Sequence, residues 1–147
     1  MKGVYILILR LRKKKDVCVG KLGRLHFRKG YYSYVGTACG TGGFKRVARH
    51  FNVASGKNKI RKWHIDYLLP HSEVACAILI PTNDDIECTI AAALASSFDG
   101  IQDFGCSDCR CNTHLFFSDI DIKGSIIDIC KTITGNESII MDTNIQE

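Results

Sequence analysis

Acidic side chains are almost missing from the first 63 residues, which carry a single acid, Asp16, against 17 Lys or Arg. The rest of the chain reverses this, with 3 basic and 14 acidic residues, so a modest net charge of +5 conceals a strongly basic half. Such a distribution gives one surface that attracts a polyanion, unless the two halves neutralise each other across the fold. Apolar runs are short, and none approaches the roughly 18 residues of a membrane-spanning helix. The opening apolar stretch ends in the basic cluster Arg10–Lys15, which is not the layout of a secretion signal, and a cytoplasmic location is expected. Repeats and low-complexity segments are absent. The glycine loop Gly40–Gly43 lacks the Gly-Lys-Ser/Thr ending of a nucleotide-binding P-loop, and no Ser/His/Asp triad is apparent.

What is present suits one ordinary globular core. A length of 147 residues matches a single domain, placed at residues 1–134 with a weakly structured tail over 135–147. Gly3–Arg12 is apolar, β-branched and aromatic and reads as a buried strand ending in a basic edge. Val17–Val19 and Arg24–Phe27 form a hairpin with basic tips, and Tyr31–Gly36 is a further strand. Phe44, Val47, Ala48 and Phe51 recur at helical spacing and put Arg46 and His50 one turn apart. A short amphipathic segment, Trp63–Leu69, ends at Pro70. Val74–Ile80 is a strand, and Thr82 or Asn83 is expected to cap a helix beginning at Asp84 and rich in alanine. Thr113–Phe117 reads as a strand and Ser125–Ile133 as the last helix. The expectation is a mixed α+β fold, with a small, mainly antiparallel sheet flanked by helices.

Two tripeptides now matter, Gly3-Val4-Tyr5 and Tyr34-Val35-Gly36, followed by Arg46-Val47-Ala48-Arg49-His50. In this order they resemble the signature of the GIY-YIG nucleases, with Glu87 standing on the helix where that family carries its metal-binding glutamate. Further features are the hairpin between the tripeptides, Gly40-Thr41-Gly42-Gly43-Phe44, Trp63–Leu68, and the run from Phe104 to Leu115. These resemble the Uri branch, small prokaryotic proteins described as endonucleases, over roughly residues 2–117. The hairpin is longer than is usual in the family. The resemblance implies an endonuclease that hydrolyses DNA phosphodiesters, branched or damaged DNA included, with Mg²⁺ or Mn²⁺. Its implied catalytic set is Tyr5, Tyr34, Arg46, His50 and Glu87, with Glu87 as the metal ligand. Glu73, Asp84 and Asp85 compete for that last role.

The chemistry asks for these residue types. One carboxylate with several waters suffices for Mg²⁺. Arginine offers a fixed fork of donors to a phosphate whose charge grows in the transition state. A tyrosine acting as base needs neighbouring Lys or Arg to depress its pKa, and the basic half is expected to supply them. Lys13, Lys14, Lys15, Lys45, Arg49, Lys57, Lys59, Arg61 and Lys62 are the candidate phosphate contacts, with DNA favoured over RNA. His64 and Asp66 would share a face on a strand and form a second metal or substrate site. Cys106, Cys109, Cys111 and His114 offer a zinc set, although a reduced turn is the favoured reading. Cys18, Cys39, Cys76, Cys88 and Cys130 read as buried thiols. Two rivals stand beside the nuclease: a nucleic-acid-binding module without cleavage, and a zinc-stabilised interaction protein whose basic face serves RNA.

Overall fold

A computed structural model describes residues 2–38, 43–105 and 111–142. The fold is mixed α+β, as expected. Strand β1 (Gly3–Leu11) lies at the heart of a six-stranded antiparallel sheet, between β4 (Gly30–Thr37) and β5 (Glu73–Pro81). Beyond β4 come β7 (Leu115–Ser118) and the two-residue β6 (Asp99–Gly100); beyond β5 lies β8 (Ile139–Asp142). A separate hairpin, β2 (Lys15–Cys18) and β3 (Arg24–Phe27), fills the connection between β1 and β4.

The absence of polar residues from Gly3 to Leu9 follows from this central position. Both faces of β1 are covered, so side chains pointing either way are apolar. Tyr5, Leu7 and Leu9 face one core, with Val17 and Phe27 of the hairpin, helix α1 (Lys45–Ser55) and helix α2 (His64–Leu68). Val4, Ile6 and Ile8 face the other core, with Ile78 and Ile80 of β5, helix α3 (Glu87–Ala95) and helix α4 (Lys123–Thr134). The expected period of α1 holds, with Val47 and Phe51 buried against the sheet.

Several expectations need correcting. Trp63–Leu69 opens a helix, not a strand, so His64 and Asp66 lie about 200° apart around its axis and share no face. Helix α3 starts at Glu87, because Thr82 Oγ1 accepts the N–H of Asp84 at 3.0 Å and holds that segment in a turn. The tail is not wholly irregular: Ile139–Asp142 pairs with Cys76–Leu79 and lengthens the sheet. Cys18 and Cys88 are exposed, while Cys76 and Cys130 are buried as expected; Cys39 lies outside the described residues.

The register of β1 against β4 sets Tyr5 opposite Gly36 and Leu7 opposite Tyr34. Tyr5 lies across the backbone of β4, and only the missing side chain at Gly36 makes room. A Cβ there would stand 2.4 Å from Cζ and the hydroxyl of Tyr5. Because that ring is itself buried, it has nowhere to retreat. Gly36→Ala is expected to cost about 1–3 kcal/mol by overpacking, seen as a lowered thermal midpoint. An unchanged midpoint would show that the ring is not confined.

Candidate active site

The ends of β1 and β4, the first turns of α1 and α3, and the chain around Trp63 enclose one cleft of about 800 Å³. Tyr5, Tyr34, Arg46, His50 and Glu87, widely separated in sequence, all line it. Lys62, Trp63 and His64 line it too, as do Asp85, a rival for the role of Glu87, Cys88, expected only as a buried thiol, and Lys21, which sequence reasoning did not single out.

Tyr5 is anchored from α1. Its hydroxyl lies 2.7 Å from Nε2 of His50, and both residues are buried. Burial holds the His50 pKa down to about 4, with the nearby Arg49 and Arg46 pushing the same way and Asp66 opposing. At neutral pH the imidazole is therefore uncharged, and Nε2 accepts the phenolic O–H. Nδ1 of His50 is buried without a hydrogen-bond partner among the described residues. Tyr34 meets the His50 ring edge-on, with centroids 6.1 Å apart.

The expectation that basic neighbours depress the Tyr5 pKa is not met. Burial raises it well above the ordinary tyrosine value, and the proximity of Tyr34 adds to this. The charge of Arg46 and a hydrogen bond from it pull the other way without prevailing. In this state Tyr5 is a phenol, not a phenolate.

Arg46 is held on two sides. One nitrogen donates to the Thr37 carbonyl at 2.8 Å, and the guanidinium lies 4.8 Å from the centre of the Trp63 ring. Glu87 begins α3, half-buried at the cleft wall. Burial, with Asp85 adding and Arg46 opposing, pushes its pKa up to about 7. Nδ1 of His114 lies 3.0 Å from Glu87 Oε1. Glu73, a rival for Glu87's role, is instead tied to Arg12 on the surface and does not line the cleft. Asp84 does not line it either, whereas Asp85 does.

Asp66 has a different task from the one expected. Arg49 donates to both its oxygens, at 2.8 and 3.0 Å, and the N–H groups of Lys62 and Trp63 donate at 2.7 and 2.9 Å. A carboxylate so fully engaged fixes the chain into α2 and has no capacity for a metal. Arg49, committed to it, is no longer a phosphate contact by preference. His64 is separately occupied, its Nδ1 accepting the N–H of Gly105 at 2.8 Å.

The other candidate phosphate contacts stay exposed. Lys13, Lys14, Lys15, Lys45, Lys57, Lys59, Arg61 and Lys62 form no ion pair among the described residues. Charge does cross between the halves at Arg12–Glu73, Arg28–Asp99 and Arg49–Asp66, so neutralisation is partial. Lys62 lies 5.0 Å and Arg49 4.5 Å from the Trp63 ring centre, so cations gather round one indole at the cleft.

The expected zinc set is only half within view. Cys106 and Cys109 lie outside the described residues. Cys111 and His114 instead come together with Cys88, their donor atoms within 4.8 Å of one another, a group able to hold a metal ion. Cys88 was read as a buried thiol, and its one sequence signal was adjacency to Glu87.

A family model described as a domain of unknown function, DUF123, matches residues 4–134. The chain belongs to the DUF123 family. That match takes in the whole cleft, from Tyr5 to His114. No curated protein and no solved structure matches this DUF123 chain. No helix among its described residues is long and apolar enough to cross a membrane.

The neutral state of His50 has a measurable consequence. The unfolded chain protonates this histidine near its ordinary pKa of 6.5, the folded protein only near 4. Its contribution to stability is whole above the first value and is lost as pH falls towards the second, on the order of 3 kcal/mol. His50→Gln keeps an acceptor for Tyr5 and should flatten this part of the stability profile, measured by urea unfolding across that range. Equal slopes in the two proteins would contradict the assignment.

Proposed function

We propose that this DUF123 domain is a divalent-metal-dependent endonuclease of GIY-YIG type, acting on DNA phosphodiesters. The observation that carries the reading is the convergence of Tyr5, Tyr34, Arg46, His50 and Glu87 on one cleft. Convergence of these residue types from β1, β4, α1 and α3 is what phosphodiester hydrolysis requires.

Arg46 is preorganised for phosphate by the Thr37 carbonyl and the Trp63 face, so no reorganisation is needed as charge develops. The Tyr5 O–H donates a hydrogen bond to His50, and its oxygen, which accepts one from Arg46, keeps a lone pair for a hydrogen of water. Its raised pKa argues for a tyrosine that stays a neutral phenol and orients the attacking water, with His50 holding the hydroxyl in place. Exposed Lys57, Lys59, Arg61 and Lys62 lead towards the cleft and would carry the flanking backbone.

The residues fit a hard cation. Glu87 is a carboxylate whose charged form is poorly solvated, beside a second carboxylate, Asp85, in the same cleft. These oxygen donors would hold Mg²⁺ or Mn²⁺, which supplies charge neutralisation for the phosphate and leaving oxygen when bound.

Wild-type protein should cut plasmid or branched DNA in the presence of Mg²⁺ or Mn²⁺. Arg46→Ala should be slower by about 10²–10³-fold, and Glu87→Gln should fall to background. Structured RNA run in parallel decides between the two nucleic acids. Binding without cleavage by the wild type would replace this reading with that of a binding module. Variants that cut as well as wild type would remove the cleft from the chemistry.

A further inference from the structure

Outside the carboxylate chemistry, the cleft wall carries a second kind of donor set. Cys88 sits in the first turn of α3, and Cys111 and His114 on the strap that enters β7. Their donor atoms approach within 4.8 Å of one another. Ligand atoms on a zinc tetrahedron stand roughly 3.3–3.8 Å apart, given bonds of about 2.0–2.3 Å. A rotamer adjustment of about an ångström would therefore close the set.

We propose that Cys88, Cys111 and His114 form a zinc-binding centre that clamps the start of α3 to the strap before β7. Thiolate and imidazole donors discriminate against Mg²⁺, which prefers oxygen, and in favour of Zn²⁺. The burial is graded as a metal clamp requires: His114 is buried, Cys111 partly so and Cys88 exposed, which gives the ion a route in from solvent. The Glu87 carboxylate beside the His114 ring supplies the outer partner that orients ligating imidazoles. Three protein ligands leave a fourth position for water or another donor.

The clamp bears directly on the cleft. Cys88 follows Glu87 in the chain, so an ion on Cys88 fixes the turn that presents the Glu87 carboxylate. This soft centre is distinct from the hard cation assigned to Glu87 and Asp85, and it stands even if the chain cuts nothing.

The test is metal analysis of untagged protein purified without chelator, joined to Co²⁺ titration of stripped protein followed by its thiolate-to-metal charge-transfer absorption. Wild type should carry stoichiometric zinc and develop the thiolate band with tetrahedral visible absorption. Both signals should be lost in Cys88→Ser and in Cys111→Ser, and kept in Cys18→Ser, whose thiol is remote on β2. Removing zinc should lower the thermal midpoint of wild type but not of Cys88→Ser. Wild type that holds no zinc and gives no thiolate band overturns the proposal, and needs no variant to fold. So does zinc retained unchanged in both Cys88→Ser and Cys111→Ser, or a Cys88–Cys111 disulfide in the purified protein.

Discussion

A phenolic hydroxyl buried in an apolar core needs a partner, and the Tyr5–His50 hydrogen bond is the one around which this molecule is arranged. It ties the central strand to the first helix above it. It works only if the imidazole stays neutral, which burial ensures, and only if the tyrosine ring can lie across the neighbouring strand, which the bare Cα of Gly36 permits. Three positions distant in sequence therefore constrain one another: a tyrosine on β1, a glycine on β4 and a histidine on α1.

The rest of the cleft follows from that constraint. Once α1 is seated by His50, Arg46, one turn earlier, falls at the mouth beside the Thr37 carbonyl. Arg49 falls on the other side and meets Asp66, which in turn gathers the N–H groups at the start of α2. Trp63 is left with its face turned to the cations of α1 and of the preceding loop. The same helix thus supplies one arginine for the cleft and one for the scaffold, separated by less than a turn.

Much of this was legible in the residues, and for identifiable reasons. Period and polarity announce β1, β5 and α1, because a strand buried on both faces must be continuously apolar and a helix on a sheet must be striped. The convergence of Tyr5, Tyr34, Arg46, His50 and Glu87 was anticipated by resemblance; strand register brings the two tyrosines together, and the packing of α1 and α3 on the sheet adds the other three. Other features had no local signal. β8 exists only because the exposed edge of β5 accepts it. The partnership of Arg49 with Asp66 depends on how two helices meet, which charge alone does not encode. Asp84 and Asp85 look like first-turn acids, yet Thr82 competes for the backbone and delays the helix. Cys88 reads as one more small apolar residue until folding carries it to Cys111 and His114.

Trp63 is the only tryptophan in the chain and sits at the cleft among Arg46, Arg49 and Lys62, so its fluorescence reports on this site alone. The central claim, that this cleft receives a nucleic-acid backbone, is tested most directly by titrating Glu87→Gln protein with a short DNA duplex and following that emission. A saturable change whose apparent affinity falls steeply with added salt is the predicted result. DNA that binds, as judged independently by anisotropy of a labelled strand, while Trp63 emission stays constant would contradict it.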